Sequence, residues 1–184
     1  MLAGSAVGCS VTRIIPPADV VEPAPVFVLE HSDSSSLVLS AADGSLHRYA
    51  YGDWAYYAER QTGSGTGLAA LLWATPAGLG RRQLDGPATA ASIYRQVRID
   101  IDKLHTIEVE RRQVERLRRQ LDALFDATAN HYPSPDVDLV FVPHPLAYHL
   151  NHNSNHVVAD WLVQLGCQVD SRPILSGWVV LPAE

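Results

Sequence analysis

Residues 26–51 read VFVLEHSDSSSLVLSAADGSLHRYAY. Val26-Phe27-Val28-Leu29 is a short β-branched and aromatic run, and Ser36-Leu37-Val38-Leu39-Ser40 is a second. Asp43-Gly44 supplies a turn, and Leu46 to Tyr51 follows as a third run. Such runs, separated by turn residues, predict an antiparallel meander. Downstream, Asp53 is placed to cap a short helix carrying Trp54, Tyr56 and Tyr57. Gly63, Gly65 and Gly67 read as a flexible loop before a short apolar helix, Leu68 to Trp73. Their G-x-G-x-G spacing lacks the strand-to-helix context of a dinucleotide site.

Leu104 to Val109 predicts a strand. Val114, Leu117, Leu121, Leu124 and Phe125 then repeat at helical spacing. Arg111, Arg112, Glu115, Arg118, Arg119 and Asp122 fill the opposite face, with i,i+4 pairing such as Glu115 with Arg119. Val137 to Val142 reads as a central strand, and Ile174 to Leu181 as a closing one. Between them a helix runs from about Asn153 to Gly166, with a stripe of Val157, Val158, Trp161, Leu162 and Leu165. Gly166 suits the position just past its C-terminus. The expectation is one α+β domain over residues 26–184, an antiparallel sheet with packed helices.

Upstream, Thr12 to Pro25 contains Pro16, Pro17, Pro23 and Pro25 and no strand or helix period. It predicts an extended tether over residues 10–25. Ala6-Val7-Gly8-Cys9-Ser10 resembles the cleavage box of a bacterial lipoprotein, where the cysteine is lipidated and becomes the first mature residue. Residues 1–9 are therefore read as the remnant of a signal segment, although only eight residues precede Cys9, without Lys or Arg. A lipidated Cys9 implies a membrane partner and an envelope location. Ser10 after it is compatible with sorting to the outer membrane, facing the periplasm. Cys167, left alone, reads as a buried apolar thiol.

The 184 residues are 47% hydrophobic and 18% charged, which is globular composition. Fourteen basic against twenty acidic residues give a formal charge of −6, which lends nucleic-acid binding no support. No cofactor motif is present.

The densest polar stretch runs from His144 to His156 and includes His149 and His152. Zinc needs three or four ligands converging at about 2 Å, and no H-E-x-x-H pattern arranges them here. Polar caps and loop hydrogen bonds are the preferred reading, and a histidine-based metal site is the alternative. Ser154 falls at the start of the last predicted helix. There it is either a capping residue or a nucleophile served by backbone N–H groups at the helix end. The second role requires an imidazole within reach.

Several segments resemble a known family. Tyr148-His149-Leu150-Asn151-His152-Asn153-Ser154-Asn155-His156-Val157-Val158-Ala159 is similar to its Y-H-x-x-N-x-C-N-T-W-x-A motif. Tyr51-Gly52-Asp53-Trp54-Ala55-Tyr56-Tyr57 resembles G-W-G-D-x-x-F-Y, and Leu68 to Pro76 resembles L-x-A-L-F-x-P-T-P. Ser34-Ser35-Ser36-Leu37-Val38-Leu39 falls where the family has W-H-T-x-L-V-L. The family is the bacterial envelope group known as domain of unknown function 2459. It is itself similar to permuted, NlpC-like, papain-type amidases. The resemblance covers most of residues 26–180 and implies a papain-like architecture. In that architecture a Cys begins a helix packed on the sheet, and a strand His serves as its base.

The departures fall on the chemistry. The family Cys position is Ser154, the family His position is Ser34, and the motif Trp is Val157. A thiol–imidazole pair replaced by two hydroxyls has neither a base nor a low-pKa nucleophile. The resemblance therefore implies a degenerate site marked by Ser34, Asp53 and Asn155, and a non-catalytic binding or structural role. The alternative is a serine-dependent amidase or esterase. In it Ser154 is the nucleophile and His31, His47 or His149 is the substitute base.

Overall fold

The computed structural model describes residues 11–58 and 74–183. Its main element is a seven-stranded sheet. The strands are β2 (Pro23–His31), β3 (Ser34–Ser40), β4 (Leu46–Asp53), β5 (Thr75–Leu84), β6 (Lys103–Glu110), β7 (Tyr132–Ser134) and β8 (Leu139–Tyr148), in the spatial order β6-β2-β3-β4-β5-β8-β7. Every neighbouring pair is antiparallel. The meander expected over residues 26–51 is β2-β3-β4. The strand expected to be central, over residues 137–142, is instead β8, which lies next to the sheet edge. Val137 belongs to a single 3-10 turn, Pro135–Val137, that precedes it.

Among the described residues four helices accompany the sheet: α1 (Trp54–Tyr57), α2 (Ala90–Gln96), α3 (Arg111–Asp126) and α4 (Ser154–Gln164). Strand residues alternate between two cores. Val26, Val28, Leu37, Leu39 and Tyr49 meet Val114, Leu117 and Leu121 of α3 and Val158, Trp161 and Leu162 of α4. On the other face Phe27, Leu29, Val38 and Leu46 meet Ile93 of α2 and Val97. Burial on both faces explains why residues 26–29 of β2 and 37–39 of β3 are continuous apolar runs rather than alternating ones. On the exposed side of α3, the i,i+4 pair formed is Arg118 with Asp122, at 2.9 Å, rather than Glu115 with Arg119.

The tether expected over residues 10–25 does not hold. β1 (Thr12–Ile15) lies in a second, three-stranded sheet, between β9 (Gln168–Val169) and β10 (Trp178–Val180). Ile14 has no exposure and joins the main core. β2 begins at Pro23, where Pro23 faces Glu110 and Pro25 faces Glu108 across β6. Pairing partners distant in sequence supplied the ladder that local periodicity concealed. The closing strand is likewise shorter than residues 174–181. Cys9, the glycine loop and the helix expected over residues 68–73 lie outside the described residues. Cys167 is buried, as read from the sequence, and burial pushes its thiol up to about 12.

Candidate functional site

The sheet parts at one place. β3 and β4 pair from Ser40 with Leu46 only as far as Leu37 with Tyr49. Beyond that, Ser34–Ser36 stay paired to β2, while Ala50–Asp53 stay paired to β5. Each strand keeps its outer partner, so the sheet opens between them. A cavity of about 730 Å³ occupies the opening.

Its lining joins residues that are far apart in the chain. Ser34, Asp53, Tyr148 and Ser154 share it with His31 and Arg48. Four of the positions carried by the family resemblance are thus brought to one place. Asn155, His47 and His149 are not among the lining residues.

Ser154 is the first residue of α4, not its cap. Asn153 is the cap, and its Oδ1 accepts from the backbone N–H groups of Asn155 and His156 at 2.9 and 3.0 Å. Asn153 Nδ2 donates to the carbonyls of Leu150 and Ile174, which fixes the helix entry to two loops. Asn155 Nδ2 donates to the carbonyls of Asp33 and Ile174, so this side chain ties the helix to the cavity rim.

Ser34 Oγ donates to the carbonyl of His31 at 3.2 Å, and the Tyr57 hydroxyl is its other partner. Burial pushes the Tyr57 phenol up to about 12. Asp53 caps α1 through Tyr56 N–H at 2.8 Å and accepts the Thr75 hydroxyl on its other oxygen. Both carboxylate oxygens therefore have structural partners.

None of the three candidate histidines is hydrogen-bonded to Ser154. His31 Nδ1 lies 2.7 Å from the Asp100 carbonyl, and its Nε2 lies 2.9 Å from Ser36 Oγ and 3.2 Å from Arg48 Nη2. A carbonyl only accepts, so Nδ1 carries the proton and Nε2 is the acceptor. Burial, then the Arg48 guanidinium, lowers the His31 pKa to about 4. His47 faces Asp122 at 3.7 Å beside a second cavity lined by Arg81 and Phe125. His149 pairs with His152 through reciprocal backbone hydrogen bonds, with the two rings 5.8 Å apart. His144 and His152 lie edge-on to Tyr51 at 4.9 and 5.1 Å. Their pKa values are lowered, first by burial. Among the described residues, no group of three or more His, Cys, Asp or Glu side chains is placed to hold a metal ion.

Arg48 is the cavity residue that sequence reading missed. It is 2% exposed on the α2 face of β4, in register with Val38 on β3. Burial lowers its pKa to about 10. A signal was available: an Arg two residues from Leu46 shares the inward-facing side of the strand with it.

No protein-family model, no curated protein and no solved structure matches this chain. Among the described residues no helix is long and apolar enough to cross a membrane.

Proposed function

We propose that this chain is a bacterial cell-envelope protein in which a papain-like amidase scaffold has lost its chemistry and kept its cavity. It binds a small ligand and does not cleave it. The observation that carries this reading is the fate of His31. It is the one candidate base that lines the cavity with Ser154, and its accepting nitrogen is engaged by Ser36 and Arg48. A base with a pKa near 4 is also a weak acceptor of a serine proton. At the start of α4 the N–H groups of Asn155 and His156 are already taken by Asn153 Oδ1, and a Ser154 hydroxyl without a base stays inert.

The papain-like architecture is supported by α4 packing on an antiparallel sheet, with Ser154 at its start and Ser34 across the cavity. The envelope location rests on Cys9, which would carry the lipid and hold the domain at the membrane, with the outer membrane facing the periplasm as the expected site.

A fluorophosphonate probe tests the reading, because it phosphonylates serines activated by a neighbouring base. Intact mass of the folded protein after treatment should show no adduct. One stoichiometric adduct that disappears in Ser154→Ala would overturn the proposal in favour of a serine hydrolase. Lipidation is tested separately, by mass spectrometry of the N-terminal peptide from a bacterial membrane fraction. A diacylglyceryl group on Cys9 is expected, and an unmodified Cys9 in the membrane fraction would refute the anchor.

A further inference from the structure

Arg48 is a buried cation whose partners among the described residues are all neutral. Its Nε donates to Ser36 Oγ at 3.0 Å, its Nη1 to the Val137 carbonyl at 3.1 Å, and its Nη2 to His31 Nε2 at 3.2 Å. A guanidinium has five N–H groups, so two remain after these three bonds. Among the described residues Arg48 makes no ion pair, whereas the neighbouring arginines do: Arg82 with Asp138, and Arg81 with Asp122 and Asp126. Removing a charge from water without a counter-charge is costly, and folds seldom tolerate it without compensation. Among the described residues no carboxylate supplies that compensation, and the guanidinium borders the cavity.

The surroundings specify the anion. Among the described residues Arg48 is the only Arg or Lys in the lining, and Asp33, Asp53, Asp100 and Asp102 are also there. Asp53 and Asp102 are turned to structural partners, Thr75 with Tyr56 N–H and Ser32 N–H respectively. His31 is held neutral by its acceptor role. One positive charge among several carboxylates suits a single negative charge and disfavours a phosphate dianion. A guanidinium edge also matches a planar carboxylate.

We infer that Arg48 anchors a monocarboxylate ligand in the cleft where β3 and β4 part. The inference rests on the reading of this cavity as a binding site and names the chemical class of its occupant. The ligand's carboxylate completes the guanidinium's hydrogen bonds and supplies its counter-charge. The rest of the ligand lies toward Ser34 and Tyr148.

The test is a titration of the full-length, nitrogen-15-labelled chain with sodium acetate at pH 7, at ionic strength held constant with sodium chloride. The readout is the Arg48 Nε–H resonance, identified by its absence in Arg48→Lys. A saturable shift is expected, with a dissociation constant on the order of 1 mM for so small a ligand. Amides of Ser34 to Ser36 should follow the same curve. Arg48→Lys should weaken that curve roughly tenfold, because an ammonium lacks the planar fork.

A shift that fails to saturate, or that survives Arg48→Lys unchanged, overturns the inference. Tighter saturation by inorganic phosphate overturns the choice of a monocarboxylate. Should Arg48→Lys not fold, Ala50→Leu narrows the cleft from β4 and leaves the guanidinium in place. Wild-type affinity in Ala50→Leu would put acetate elsewhere and overturn the inference too. The fluorophosphonate result is independent. An adduct on Ser154 with intact acetate saturation refutes only the non-catalytic reading, and no adduct with no saturation refutes only the carboxylate site.

Discussion

His31 Nε2 lies 3.2 Å from Arg48 Nη2, so the imidazole that a serine hydrolase would need as a base is the acceptor of a buried guanidinium. The two roles exclude each other. Protonating Nε2 would place two cations face to face in the cavity. The same contact holds both side chains in one orientation, with Ser36 bridging them.

That contact sets a pH dependence. The His31 pKa is about 4 in the folded protein, against about 6.5 in the unfolded chain. Between those values the unfolded chain binds more protons, so stability rises with pH. The contribution is complete above pH 6.5 and is lost as pH falls toward 4. Between pH 7.5 and 5 the loss from His31 alone is about 2 kcal/mol. His47, His144, His152 and His156 are lowered as well and act in the same direction. Urea unfolding at the two pH values measures the drop, and His31→Gln should show a smaller one. An equal drop in the variant would assign the dependence to other groups.

Asn153 and Ser154 separate by stability. Asn153→Ala removes the cap of α4 and should cost about 1 kcal/mol, with more from its bonds to the Leu150 and Ile174 carbonyls. Ser154→Ala should stay within about 0.5 kcal/mol, since Ser154 does not cap the helix. Chemical denaturation of both variants checks the order, and a larger loss in Ser154→Ala would contradict it.

β1 makes the N-terminal segment part of the domain. Ile14→Ala, at a fully buried position in the main core, should destabilise by about 2–5 kcal/mol. A flexible tether would show no change. Thermal unfolding of the variant decides between them.

Cys167 should be inert to thiol reagents in the folded protein, because its pKa is pushed to about 12 and its side chain is buried. In a chain carrying Cys9→Ser, an aromatic disulfide reagent should release no chromophore until denaturant is added. Rapid reaction in native buffer would show that the packing around Cys167 opens readily.

Where the chain's pattern is local, it was readable. The Val26–Tyr51 meander follows from short β-branched and aromatic runs and the Asp43-Gly44 turn. α3 follows from apolar spacing that returns to one face every three to four residues, and its buried residues are Val114, Leu117, Leu121 and Phe125. Asp53 was readable as a cap because its side chain serves N–H groups within its own helix. β5 and α2 were not anticipated. β5 carries Gly78, Gly80, Arg81 and Arg82, which give no apolar alternation. Gly80 is required there because a Cβ would stand 2.7 Å from the Phe141 ring.

The sequence alone determined the α+β class, the helix beginning at the Asn153-Ser154 junction and the absence of a Cys–His pair from positions 154 and 34. These depend on residue identity and short-range spacing. Only the tertiary structure decided that Ser34, Asp53, Tyr148 and Ser154 line one cavity and that His31 is committed to Arg48. It also decided that Thr12–Ile15 is a strand rather than a tether. Each depends on a partner distant in sequence, 17 residues apart for His31 and Arg48. Whether a buried charge has a counter-ion shows only once the fold has placed the carboxylates around it.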